Sequence, residues 1–328
     1  LSFLFLLQIF FSFRLEAVEL DPFPLPEVSR DPFSVSFFRE ERPSLYWVNA
    51  GVPDSFFNPV SVIQINPLVY SVRTIEYGVR AQGWVTDQLN LRVTFPFEGN
   101  ALEDTGSVNS LGVTVDATHS AEKFGDIEFG GTYLFVGKWE KGNYIGVDGW
   151  YRFPTGSNPF YEAFPLLGTG KGAARKALGI VMDQEAYGFS FFQSLNYETT
   201  DPIQLNSGSY LGAGTFHWPN NWFATARINY KLFKMAQREV SVYWMAKTRI
   251  SGLMTFNGQA LTYGENRNPN NNYGMTTDEL TTSTFGMNVQ VDRTFSVDGQ
   301  LIYVPWYFGG GRPNQGWMFN LSIDFKPL

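Results

Sequence analysis

Cysteine is missing from all 328 residues. That excludes disulfides, thiolate zinc sites and thiol catalysis, and it is harmless in an oxidising compartment. Histidine is nearly missing too. His119 and His217 stand in no metal-ligand spacing, and no HExxH occurs. His217, beside Trp218 at an expected strand end, reads as interfacial. No metal, no cofactor and no catalytic residue is expected from such a set. Charge is scarce, at 17% of the chain, where soluble domains average roughly 25%. The net charge of -7 argues against a nucleic-acid partner. Long apolar runs are also absent. Leu1–Phe13 is the most apolar stretch, and it falls short of the roughly 20 residues of a membrane helix.

That stretch has the size of a signal-peptide core, and residues 1–17 read as a signal peptide lacking its basic start. Cleavage is expected after Ala17, although Leu15 stands where a small residue is preferred. The next segment, 18–58, is rich in proline, with Asp21-Pro22-Phe23 repeated as Asp31-Pro32-Phe33. Proline removes ladder donors, so this segment reads as a periplasmic tail or a lumenal insert. The remainder, 59–328, reads as one domain.

Aromatics are plentiful, again 17% of the chain, and they fall into alternating runs. Ile75, Tyr77, Val79 and Ala81 oppose Glu76, Gly78, Arg80 and Gln82. Leu89, Leu91, Val93 and Phe95 oppose Asn90, Arg92 and Thr94. The same alternation recurs over 127–135, 145–153, 187–197, 222–232, 240–249, 285–291, 297–303 and 317–325. Weaker strands are expected at Pro59–Asn66 and over 208–218. A strand sends successive side chains to opposite faces, so each run has one apolar and one polar face.

Alternation alone suits a soluble sandwich as well. Three features favour an all-β transmembrane antiparallel barrel of about twelve strands. The N-terminal signal directs the chain out of the cytoplasm. Aromatics gather near strand ends, as interfacial girdles do: Trp84, Phe95, Phe97, Tyr151, Phe153, Trp218, Trp222, Tyr303, Trp306 and Tyr307. Connectors nearly alternate between short (85–88, 137–143, 199–206, 233–238, 293–296) and long (98–125, 155–184, 253–281), the asymmetry of periplasmic turns and outer loops, with two short exceptions among the outer loops near Pro219–Asn221 and Phe308–Gln315. This parity requires Leu111–Thr118 to lie off the wall.

Several short motifs carry a family resemblance. They are Tyr77-Gly78 running through Thr86-Asp87-Gln88-Leu89-Asn90-Leu91 to Phe95-Pro96, then Phe124-Gly125-Asp126-Ile127, then Phe153-Pro154-Thr155-Gly156-Ser157, then Tyr187–Tyr197. Over about 70–328 the chain resembles the outer-membrane barrels grouped as a component of the meta-pathway of phenol degradation, transporter-like proteins. The resemblance implies a barrel in the bacterial outer membrane and passive uptake of small hydrophobic or aromatic molecules. It also implies contact with outer-membrane lipid and lipopolysaccharide, and handling by the barrel assembly machinery. One departure concerns the end: such barrels commonly finish on an aromatic, whereas Phe325 is followed by Lys326-Pro327-Leu328.

If the polar faces line a lumen, they place charges there. The basic candidates are Arg80, Arg92, Arg152, Arg227, Lys231, Lys247 and Arg249. The acidic ones are Glu76, Glu128, Asp148, Glu198, Asp292, Asp298 and Asp324. The signs balance, so two readings stand: ladders that brace the wall, or a polar conduit without strong ion selectivity. Gly168-Thr169-Gly170-Lys171-Gly172 lacks the full phosphate-loop pattern and reads as a basic loop. Lys171, Arg175 and Lys176 are expected to be solvated or to meet lipopolysaccharide phosphates. The function expected is a channel. Its rivals are a surface or structural barrel with a plugged lumen and, behind it, a barrel enzyme.

Overall fold

The computed structural model describes residues 32–325 apart from 42–44, 49–68, 105–106, 109–113, 116–117, 140–142, 162–168, 210–211, 236–237, 253–254, 261–277, 293, 309–311 and 314–317. The signal peptide and Pro59–Asn66 therefore lie outside the described residues.

Twelve strands make the wall: β1 Phe33–Glu41, β2 Val69–Trp84, β3 Leu89–Asp104, β4 Glu128–Lys138, β5 Asn143–Arg152 and β6 Arg175–Ala186, then β7 Phe189–Thr200, β8 Asn221–Met235, β9 Arg238–Ser251, β10 Asp278–Gln290, β11 Phe295–Phe308 and β12 Met318–Phe325. Each pairs antiparallel with the next from β1 through β12. β12 then pairs with β1, Val35 opposite Phe325 and Arg39 opposite Leu321. The pairings return to their start, so the sheet is a barrel with no open edge among these strands.

The number of strands matches the expectation, but two members differ. Phe33–Glu41 belongs to the wall, so the barrel begins at residue 33 and not at 59. Pro32 had hidden this strand, yet it stands just before it and costs no ladder bond. Its carbonyl instead accepts the Trp84 N–H at 2.8 Å. Arg175–Ala186 is also wall, where a long loop was expected. Ile180 faces out and Val181 faces in, both apolar, which erased the period of two. In return, the expected strand over 208–218 is not wall. Its Gly214–His217 portion joins a separate small sheet with Ile203–Leu205, Thr255–Phe256 and Gln259–Ala260.

One end of the barrel has short connections, over 85–88, 139–142, 187–188, 236–237 and 291–294. The other has the long connections 42–68, 105–127, 153–174, 201–220, 252–277 and 309–317. The expected short connector 199–206 instead comprises the end of β7 and the start of the long connection 201–220. Tyr187-Gly188 shows how tight the short end is: both residues have positive φ, 54° and 81°. That is the geometry of a two-residue turn matching strand twist, and glycine at the second position adopts it without strain. At the long-loop end, β3 runs on to Asp104 and pairs with Thr118–Phe124, so part of the expected 98–125 loop is a ladder. Thr114–Val115 pairs with Ser107–Val108, off the wall.

Burial along the strands is inverted relative to a soluble sheet. Arg92 and Asp148 are 3% and 1% exposed, while Phe95 and Leu178 are 47% and 68% exposed. Among the described side chains, the charged residues of the strands point inside the ring and the large exposed apolar ones outside. Such an outer surface is stable only against lipid. Outward-facing aromatics pair at both rims: Phe97 with Phe124, Tyr151 with Phe153 and the half-buried Tyr197 with Trp222 at the long-loop end, Phe189 with Tyr230 at the other. Trp84 and Trp218 are not among them. Trp84 stacks on Trp139 at 5.4 Å, packed against a buried inner cluster of Leu134, Tyr144, Val181 and Phe192 near the short turns. Trp218 packs in the loops, against Phe160, Ala173, Ile203, Leu205 and Phe216.

Candidate functional site: the inner wall

The inner wall is built by period-two alternation on closed strands, and it is chemically divided. On β3, β4 and β5 it carries an ion ladder. Arg92 donates to both oxygens of Asp148, Nη1 to Oδ1 at 2.6 Å and Nη2 to Oδ2 at 2.9 Å. Its Nε reaches Glu128 at 3.5 Å, and Arg152 Nε donates to the other Glu128 oxygen at 2.8 Å. Thr132 Oγ1 adds a donor to Asp148 at 2.6 Å. The fork of Arg92 matches a carboxylate in two parallel bonds, the strong geometry for such a pair. Gly130 makes it possible, because a Cβ there would stand 2.8 Å from Arg92 Nε. Arg152 also stacks on Trp150, 4.8 Å from the ring centroid.

Near the long loops, Arg175 lies 3.6 Å from Asp126 and 3.9 Å from Glu198, ion pairs longer than hydrogen bonds. Glu198 accepts from Asn221 Nδ2 at 2.6 Å. Asp126 also takes the backbone N–H groups of Gly156 and Lys171 at 3.0 and 3.1 Å, tying the 153–174 loop to the rim. Lower down, Tyr243 donates to Asp298 at 2.6 Å, and Arg227 lies 4.1 Å over the Tyr243 ring. That ring in turn covers Gly286.

The expected charged residues divide as follows. Glu76, Arg92, Glu128, Asp148, Glu198, Lys247, Arg249 and Asp298 are buried on the inner face, and Arg80, Arg152 and Arg227 are half-buried there. Arg80 donates to Thr94 at 3.2 Å. Lys231 is half-exposed near the short turns and pairs with Glu185 at 3.0 Å. The Asp324 backbone lies opposite Ser36 and Ser296, and its side chain is outside the described residues. Asp292 is a correction: it is exposed in a short turn, where it caps Thr294 and Phe295.

Arg175 and Asp183 were missed as inner residues, because their strand had been read as loop. Arg175 is 3% exposed, so it meets no lipopolysaccharide. Lys176, its neighbour, is exposed and pairs with Asp201, and Lys171 lies 4.3 Å over the Trp218 ring. His217 is exposed on the small loop sheet. Among the described residues no group of three or more potential metal ligands assembles.

The closed ring with an apolar exterior and a charged interior has a solved counterpart. The crystal structure of an outer membrane channel from Pseudomonas putida F1 superposes with a TM-score of 0.60 at 13% identity, covering 94% of this chain and 99% of that one. The protein has the fold of an outer-membrane β-barrel. The beta domain of the Bordetella autotransporter Brka (TM-score 0.45, 11% identity, 90% and 100% covered) and a Pseudomonas aeruginosa FadL homologue (0.37, 9%, 90% and 89%) are more distant. No family model matches the sequence, and no curated protein does. Because the outer belt needs lipid and the fold is of this class, the protein resides in the bacterial outer membrane. In such barrels the long loops are extracellular and the short turns periplasmic, which orients the molecule.

Proposed function

We propose that this barrel is a channel for the passive uptake of small hydrophobic or aromatic molecules. The observation that carries the reading is the closed wall with a polar inner face whose ladder on β3 to β5 matches its charges in pairs. Matched charges give the lumen polarity without a ring of one sign, so ions are not favoured over neutral solutes. Near the short turns, the half-buried Trp84 and Trp139 stack beside the buried Tyr144 and Phe192 and give the periplasmic end an aromatic lining. The likeness to a solved outer membrane channel supports a channel role through the fold alone. The motif resemblance to the phenol-pathway barrels supplies the substrate class. Partners under this reading are outer-membrane lipid, lipopolysaccharide, the barrel assembly machinery and the solute; no catalytic role is assigned.

Planar-bilayer recording tests it. The wild type should show small, weakly selective conductance. Arg227→Ser should raise it and shift selectivity toward cations, since a positive charge leaves a confined lumen. A protein silent in both forms would sink the channel and favour the plugged structural barrel, whose lumen the same ion ladder would fill.

A further inference from the structure

One window of the lipid-facing wall departs from its large apolar character. The register sets successive outward residues side by side. Gln193, Ala226, Ala246 and Ser283 form one row across β7 to β10, and Leu195, Ala224, Thr248 and Thr281 form the next. The row on the short-turn side is Phe191, Ile228, Trp244 and Phe285, each between 36% and 54% exposed. The row on the long-loop side holds Tyr197, Trp222 and Ile250. The small side chains of β8, β9 and β10 therefore make a recess ringed by large ones. It lies between the aromatic pairs Tyr197–Trp222 and Phe189–Tyr230 of the two rims, so it faces the hydrocarbon layer.

The recess is also polar. Thr248 and Thr281 share one hydrogen bond at 3.0 Å, so one of their two hydroxyl protons stays available. Ser283 accepts the Trp244 indole N–H at 2.8 Å and keeps its own proton. The Gln193 carboxamide, at the edge, has no hydrogen-bond partner among the described residues. Acyl chains offer these groups nothing. A protein surface does, and small residues let it approach closely, as in other contacts made inside a bilayer. Its partner must donate and accept at this depth of this membrane. The same face of a second copy meets that need, because hydroxyls and a carboxamide do both and a two-fold axis sets the patch against itself. The area suffices as well. Four strands at ~4.8 Å and four outward rows at ~6.8 Å cover about 500 Å² on each copy, or ~1,000 Å² in the pair, the size at which specific interfaces begin. We infer that the outer face of β7 to β10 is the contact between two copies of this barrel. The inference goes beyond the channel reading and stands whether or not the lumen conducts.

The absence of cysteine makes the contact easy to test, since any introduced thiol is the only one. Ala226→Cys and Ala246→Cys, purified and reconstituted in phospholipid vesicles, are treated with a short bis-maleimide. Val93→Cys, half-buried on the outward face of β3 and six strands from β9, is the control. The recess variants should become covalent pairs, and the control should stay single. Light scattering of the cysteine-free wild type in mild detergent should give the protein mass of two chains. Ala226→Phe fills the recess with a side chain that lipid accepts, and it should return that mass to one chain. Heat-modifiable gel migration checks that each variant is folded, and the wild-type mass decides even if a variant fails to fold. Cross-linking no greater than at Val93→Cys, with a one-chain mass for the wild type, overturns the contact and leaves lipid in the recess. A mass of three or more chains overturns the two-fold pair, and a two-chain mass that survives Ala226→Phe places the contact on another face.

Discussion

The two faces of the wall obey different rules. Outside the recess on β8 to β10, the outer face is uniform. Any large apolar side chain serves there, and Phe95, Leu178, Phe191, Leu195 and Phe285 are interchangeable in kind. The inner face is particular: Arg92 on β3 needs Glu128 and the missing side chain of Gly130 on β4, and Asp148 on β5. A face selected for a property is written in each strand separately. A face selected for partnerships is written only in the register between strands.

The sharpest way to break that contrast is to remove the centre of the inner ladder. Arg92→Ser leaves Asp148, 1% exposed, with Thr132 as its one remaining described hydrogen-bond donor. Breaking a buried pair on one side costs about 3–5 kcal/mol. Refolding into lipid vesicles under denaturant should show a loss of that size, and the double variant Arg92→Ser/Asp148→Ser should recover much of it. A double variant no better than the single one would mean that Arg92 acts by packing and not by charge.

This difference explains what could be read in the chain. Alternation located ten of the wall strands and their polarity, because lipid imposes apolar character at every second position from Tyr77 to Phe325. It failed where both faces of a strand are apolar, as at Ile180-Val181, and where proline stands at a strand's threshold, as at Pro32. It also misjudged residues 208–218, because Phe216 and Trp218 belong to a core made by three loops, and a loop core alternates just as a wall does. The inner candidates came from the same alternation, and those on true strands whose side chains are described lie on the inner face. Their pairing was beyond reach. Arg92 and Asp148 are 56 residues apart, and only the stacking of β3, β4 and β5 unites them. The aromatic cluster inside the short-turn end was also illegible, since Trp84 looks like an interfacial girdle residue until its facing partner is known.

The second test adds a charge where lipid forbids it. Leu195 lies midway along β7 and is 49% exposed on the outer face. Leu195→Arg should destabilise by about 2–4 kcal/mol if it sits near the bilayer midplane. Ser194→Arg, one residue away and inward, should cost less, because the lumen can hydrate or pair the guanidinium. The reverse ranking would show the register to be displaced by one residue and the faces exchanged.

A third and milder test fills the space that the inner face keeps open. Gly130→Val places methyl groups against the Arg92 guanidinium, already approached within 2.9 Å by a Cβ. Overpacking of this kind costs about 1–3 kcal/mol. Gly188→Ala, in the periplasmic turn, strains only its positive φ and should leave the conductance untouched. Equal conductance in Gly130→Val and wild type would show that the ladder lies outside the permeation path.

The smallest effect belongs to a charge on neither face. Asp292 was expected in the lumen but is exposed in the last short turn, between β10 and β11. Its Oδ1 accepts from the Thr294 hydroxyl at 2.8 Å, from the Thr294 N–H at 2.7 Å and from the Phe295 N–H at 2.9 Å. The hydroxyl of Thr294, then the two N–H groups, hold the carboxyl below its ordinary range. A carboxyl depressed in the folded state contributes stability above its unfolded value, about 3.9, and loses it as pH falls through the lower folded value. Asp292→Ala should therefore be slightly less stable than wild type at neutral pH. The two should converge below about pH 4, when the wild-type carboxyl takes up its proton and its advantage disappears. Denaturant unfolding in vesicles at neutral and acid pH measures both ends. A gap that widens toward acid would mean that the charge itself is unfavourable there, and that the turn is held by something other than this cap.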